Sequence, residues 1–226
     1  MQSAMLPRVK ICCIRSHDEA RMAIQAGASA LGLVSAMPSG PGVISEASIA
    51  SIAAAVPPLV ASFLLTSRTD AAGIVAQQRR CGTSTVQICD RLHTGTYADL
   101  RRGMPGIRIV QVVHVTGREA LEKAVAIAPH VDALLLDSGR PDSTVRELGG
   151  TGRTHDWRLS FEIREAVDVP VFLAGGLHSG NVAAAIREVQ PFAVDICSGV
   201  RTGDRLDPGK LAEFIEQVIE AGAPRS

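Results

Sequence analysis

Residues 171–200 read VFLAGGLHSGNVAAAIREVQPFAVDICSGV, and the order of features in them decides the fold. An apolar run at 171–174 stops at Gly175 and Gly176, an Ala-rich stretch at 181–189 carries apolar residues at helical spacing, and a second apolar run at 193–198 stops at Ser198 and Gly199. Neither run alternates polar with apolar residues, so each expects cover on both faces, as in a parallel sheet whose strands are joined by helical crossovers. The pattern extends outward over the chain. Strands are predicted at 9–14, 30–34, 59–65, 85–88, 107–114 and 131–137, with helices at 18–26, 46–56, 71–80, 118–126, 159–167 and 211–221, and the weakest helical stretch at 97–102. Eight such units in 226 residues fit an α/β chain closed into a (β/α)8 TIM barrel, with 1–226 as a single domain. An open doubly wound sheet would normally carry a glycine-rich turn after its first strand; here that turn reads Cys12, Cys13, Ile14, Arg15, Ser16, and the glycine-rich turns come late.

Composition narrows the partners. Lys plus Arg and Asp plus Glu number 23 each, so no net positive field attracts nucleic acid or an anionic membrane. Aromatic residues are 3% of the chain, which leaves few stacking platforms for bases and assigns the core to small aliphatic side chains. No apolar stretch reaches the roughly 20 residues that span a bilayer. The five cysteines are odd in number and the first ten residues, MQSAMLPRVK, lack a secretory apolar region, so a reducing cytoplasm is the expected setting.

In a barrel of this type the chemistry sits at the C-terminal ends of the strands. Three late ends carry glycines: Gly150 and Gly152 after the sixth strand, Gly175 and Gly176 after the seventh, and Gly199 beside Ser198 after the eighth. Glycine lets backbone N–H groups approach an anion without a Cβ in the way, and in succession these turns form a candidate phosphate cradle for a small phosphorylated substrate. No GxxxxGK[ST] motif points to nucleoside triphosphate hydrolysis. At the same rim, Cys12 and Asp137 end the first and sixth strands, and a thiolate and a protonated carboxyl can act as base and acid if their pKa values are tuned. From spacing alone Cys12 equally suits a small buried apolar role and Asp137 a loop cap. Cys12, Cys89 and Cys197 near strand ends raise zinc, but no CxxC or HxxxH spacing supports a metal, and none is expected.

These motifs resemble phosphoribosylanthranilate isomerases of tryptophan biosynthesis. The resemblance runs from Lys10, Ile11, Cys12 and Ile14 through Asp18, Glu19 and Ala20, then Gly27, Ala28 and LGL at 31–33. It continues through DALLLDS at 132–138, GGTG at 149–152 with Asp156 and Trp157, LAGGLHSGNV at 173–182 and VDICSGV at 194–200. It implies that Asp137 protonates the ribose ring oxygen, opening the sugar to a Schiff base, and that Cys12 removes the C2 proton. The enolamine so formed settles as the ketoamine without a cofactor. The glycine turns would hold the phosphate, with Gln87, Arg15 and His114 as further substrate contacts.

Departures from the family pattern are specific. Cys13 stands where the family has glycine, and Cys89 and Asp90 replace the end of its QLHG block. The loop at 36–43, AMPSGPGV, has no arginine where the family carries one against the anthranilate carboxylate. Loss of such a charge-assisted contact costs about 1.5–3 kcal/mol of binding, unless Arg15, Arg91 or Arg140 supplies it. Two alternatives therefore stand beside the isomerase: a divergent barrel acting on another phosphorylated aminosugar, and a catalytically silent phosphosugar-binding protein. A monomer and a homodimer are both compatible with the sequence.

Overall fold

The computed structural model describes residues 6–139 and 154–222. Eight parallel strands close into a barrel in sequential order: β1 (Arg8–Ile11), β2 (Ala30–Val34), β3 (Ala61–Thr66), β4 (Thr85–Ile88), β5 (Arg108–His114), β6 (Ala133–Asp137), β7 (Val171–Leu173) and β8 (Ala193–Ile196). The first and last strands close the cylinder in a register that sets Lys10 opposite Asp195 and Ile11 opposite Ile196. Between strands run α1 (His17–Gln25), α2 (Glu46–Ala55), α3 (Ala71–Cys81), α4 (Tyr97–Gly103), α5 (Glu119–Ile127), α6 (Trp157–Ala166) and α7 (Ser179–Val189), and α8 (Pro208–Gly222) follows β8.

Helix starts are written locally. Ser16, Ser45, Asp70, Thr96 and Asp156 each accept a first-turn N–H through the side chain, satisfying donors that the helix itself cannot. At Thr96 the carboxylate of Asp99 returns the bond, so the stretch that propensity marked as weakest is a helix begun by a reciprocal cap.

Side chains on the strands divide by parity into two cores. Ile11, Leu31, Leu33, Leu64, Ile109, Leu134, Leu136 and Val194 face outward under the helices, while Val34, Phe63, Leu65, Val110, Val112, Leu135, Phe172 and Ala174 fill the cylinder. Burial on both faces is the reason that these strands read as continuous apolar runs.

Two expectations about elements are corrected, and one element is added. The third strand starts at Ala61 rather than 59: Leu59 follows two prolines and is 97% exposed. The first strand ends at Ile11, which leaves Cys12 and Cys13 in the turn beyond it. After β8 the chain adds a short antiparallel hairpin, β9 (Arg201–Thr202) with β10 (Arg205–Leu206), turned by Gly203 and Asp204, both at positive φ. A Gly-Asp pair is a hairpin signal, but strands this short carry no readable alternation.

Candidate active site

One pocket opens at the C-terminal mouth of the barrel. Cys12, Gln87, Cys89, Leu135, Asp137 and Asp195 line its inner wall, and Gly175, Gly176 and Ser198 lie at its rim with Met37, Ser39, Gly40 and Pro41 from the loop after β2. Cys12 and Asp137, three strands apart around the closed cylinder, therefore meet the same cavity.

Strand parity explains how they get there. Lys10 and Cys12, two residues apart, both point into the cylinder, as do Leu135 and Asp137 on β6. The Cys12 N–H donates to the Ile196 carbonyl at 2.7 Å, tying the turn to β8. Cys13 takes a left-handed conformation, φ 63°, at the position where glycine would be unstrained. Its carbonyl accepts a bond from the Arg201 guanidinium, which also pairs with the Glu19 carboxylate at 3.1 Å. Cys13 is joined to Cys197 by a disulfide, with Cα atoms 5.9 Å apart, so the ends of β1 and β8 are linked covalently as well. Cys12, Cys81 and Cys89 are free and buried.

Burial pushes the Cys12 thiol up to about 11, with Asp195 and Asp137 adding to the rise and Lys10 opposing it. Asp137 is 7% exposed, and burial holds its carboxyl above the usual range despite the neighbouring His114 and the Ser138 N–H, which donates to its Oδ1 at 2.7 Å. A carboxyl that keeps its proton nearer neutrality is suited to protonate a leaving oxygen.

At the rim the turns after β7 and β8 are packed backbone against backbone. Gly175 and Gly176 have φ of 84° and 63°, and a Cβ on Gly175 would come within 3.0 Å of the Ser138 backbone nitrogen. Gly199 packs directly on the Leu177 carbonyl, so the turns after β7 and β8 touch where no side chain would fit. Gly150 and Gly152, the third part of the expected cradle, and Arg140 lie outside the described residues.

Other expected contacts are distributed unevenly. Gln87 lines the pocket. Arg15 does not: it is exposed, and its guanidinium reaches the Asp204 carbonyl at 3.5 Å. His114 lies beside Asp137 in the β5–β6 register, but its ring contacts the Cys89 carbonyl at 3.1 Å and lines a neighbouring cavity with Asp90, Arg91, His93 and Tyr97. Among the described residues lining the mouth pocket there is no Arg, Lys or His. None of the described His, Cys, Asp and Glu side chains form a group of three able to hold a metal ion. Among the described residues, no helix is long and apolar enough to cross a membrane.

Sequence reasoning passed over the buried ion pair between Lys10 and Asp195, 2.8 Å, directly below Cys12. A lysine two residues before a pocket-facing cysteine is the signal that could have found it, since strand parity puts both on one face.

Comparison with known proteins agrees with this geometry. The family model described as N-(5'phosphoribosyl)anthranilate (PRA) isomerase matches residues 9–217. An N-(5'-phosphoribosyl)anthranilate isomerase from Methanocella arvoryzae is 35% identical over 214 residues, covering 94% of this chain and 98% of its own. The crystal structure of phosphoribosyl anthranilate isomerase from Thermotoga maritima superposes with a TM-score of 0.78 at 28% identity, covering 95% of this chain and 99% of that one. A structure of such an isomerase in complex with reduced 1-(o-carboxyphenylamino)-1-deoxyribulose 5-phosphate gives 0.76 at 26% identity, with the same coverage.

Proposed function

The chain belongs to the N-(5'-phosphoribosyl)anthranilate isomerase family, and on that premise we propose that Cys12 and Asp137 are its base and acid in the isomerisation of N-(5'-phosphoribosyl)anthranilate, a step of tryptophan biosynthesis. The observation that carries the assignment is their convergence on one pocket at the mouth of the barrel, beside glycine turns able to seat a phosphate.

The chemistry follows from where each proton must go. The neutral Asp137 carboxyl donates to the ribose ring oxygen as the C1–O bond breaks, and the substrate nitrogen supplies the electron pair that forms the protonated Schiff base. The Cys12 thiolate then takes the proton from C2; those C–H electrons form the enolamine double bond, and the iminium nitrogen receives the displaced pair. Tautomerisation of the enolamine to the ketoamine completes the rearrangement with no net oxidation and no added cofactor. The phosphate, held by N–H groups around Gly175, Gly176, Ser198 and Gly199, with the segment of Gly150 and Gly152 as a further contributor, fixes the distance from the anchored end to C2. Gln87 contacts the substrate from the inner wall. The barrel, one domain over 1–226, acts as a monomer or a homodimer on this small phosphorylated molecule.

The test is direct: the purified protein is mixed with phosphoribosylanthranilate generated in situ, and the fluorescence of that substrate is followed. Loss of signal proportional to enzyme supports the reading, and a rate equal to background refutes it.

A further inference from the structure

Lys10 is 1% exposed, on the inside of the cylinder, where an ammonium loses nearly all its water. Its compensation is thin: one ion-pair contact, Nζ to Asp195 Oδ2 at 2.8 Å, and the face of Phe63 at 5.3 Å. The other Asp195 oxygen has no hydrogen-bond partner among the described residues, and Asp195 itself lines the pocket. Such a pair is an uneconomical way to fill a barrel that packs aliphatic side chains elsewhere.

Its location relative to the pocket gives it a use. A Cβ placed on Gly32 would lie 2.8 Å from Cys12 Sγ and 3.2 Å from Lys10 Nζ, so the two atoms flank the same bare backbone position. They are at most about 6 Å apart, inside the range where an opposite charge favours the ionised form. Of the groups facing Cys12, Asp195, Asp137 and Cys89 are acids, and Lys10 is the cation.

We propose that Lys10 is the positioning cation that stabilises the thiolate of Cys12 during proton abstraction, with Asp195 as the anion that tempers it. This rests on the assignment of Cys12 as base. Burial drives the thiol up, and Lys10 is the largest opposing influence, ahead of the upward push from Asp195. The two members of the pair therefore act on Cys12 with opposite sign.

The experiment reads Cys12 without relying on turnover. Carbamidomethylation by iodoacetamide is followed from pH 7 to 10, with mass-spectrometric fragmentation to assign modification to Cys12, in the wild type, Lys10→Met and Asp195→Asn. Lys10→Met is expected to slow Cys12 alkylation about tenfold or more at fixed pH, since an opposite charge at this range shifts the equilibrium by a pH unit or more, and to lower kcat while KM for the phosphorylated substrate changes little. Asp195→Asn is expected to speed alkylation. Unchanged rates, or slowing in both variants, overturn the proposal, and if Lys10→Met fails to fold, Lys10→Gln is read in its place with the same expectation. Cys12→Ser separates the two readings: retained turnover there refutes the base assignment, whereas lost turnover with alkylation indifferent to Lys10 and Asp195 refutes only the role of the pair.

Discussion

The pH dependence of kcat/KM provides a test of the acid/base assignment that a simple loss of activity cannot. Catalysis requires Cys12 without its proton and Asp137 with one, yet burial raises both groups and leaves the thiol at about 11. A carboxyl is ordinarily far more acidic than a thiol and burial raises both, so Asp137 loses its proton first. The reactive arrangement, thiolate with neutral carboxyl, holds as many protons as the dominant arrangement of thiol with carboxylate. Above the carboxyl's own pKa and below that of the thiol its share is therefore independent of pH, and the wild-type profile is flat across that interval. Asp137→Asn changes this, because an amide does not titrate and only the thiol remains. The residual rate, reduced by about 10²–10⁴-fold for loss of a general acid, is expected to climb about tenfold per pH unit over the same interval. Initial rates at low substrate, with fluorescence detection, give both curves. A flat profile in Asp137→Asn, or a hundredfold climb in the wild type, would refute the paired roles.

Three further outcomes test the scaffold and rim. Phe214 on α8 is fully buried in the outer core, so Phe214→Ala should cost about 3–5 kcal/mol in urea denaturation, and a loss under 1 kcal/mol would contradict that packing. Gly199→Ala forces a methyl against the Leu177 carbonyl and should destabilise by about 1–3 kcal/mol while raising KM; a variant with the native midpoint and KM would deny the contact between the two turns. Burial pushes Glu19 up, but the Arg201 guanidinium with the Leu206 and Arg15 N–H groups outweighs it and holds the carboxyl low. Its contribution is thus present above the unfolded value near 4.3 and lost as pH falls through the folded value; urea midpoints should drop more steeply with acid in the wild type than in Glu19→Gln, and parallel curves would contradict this.

Much of this architecture was legible because its causes are local. Strands buried on both faces leave unbroken apolar runs, so the barrel could be read directly, and glycines marked the ends of the late strands; Cys12 and Asp137 were open on spacing alone and were singled out by the family resemblance. Features made by closure of the cylinder could not. Lys10 and Asp195 are 185 residues apart and meet only because β1 pairs with β8, and Cys13 and Cys197 are joined across the same seam. Arg15 was a candidate to replace the arginine absent from the loop at 36–43, but the left-handed turn at Cys13 and the cap at Ser16 lead it to the surface instead. Leu59 misled for the opposite reason: an apolar residue next to a strand was assigned to it, whereas the preceding prolines keep it in a turn.

The rate of Cys12→Ser with phosphoribosylanthranilate tests the role of Cys12 as base most directly. An alcohol in place of the thiol keeps the shape of the pocket but gives up the readily ionised sulfur, so kcat should fall by at least about 10²-fold while the folded protein retains its denaturation midpoint. A variant that turns over at close to the wild-type rate would mean that some other group removes the C2 proton.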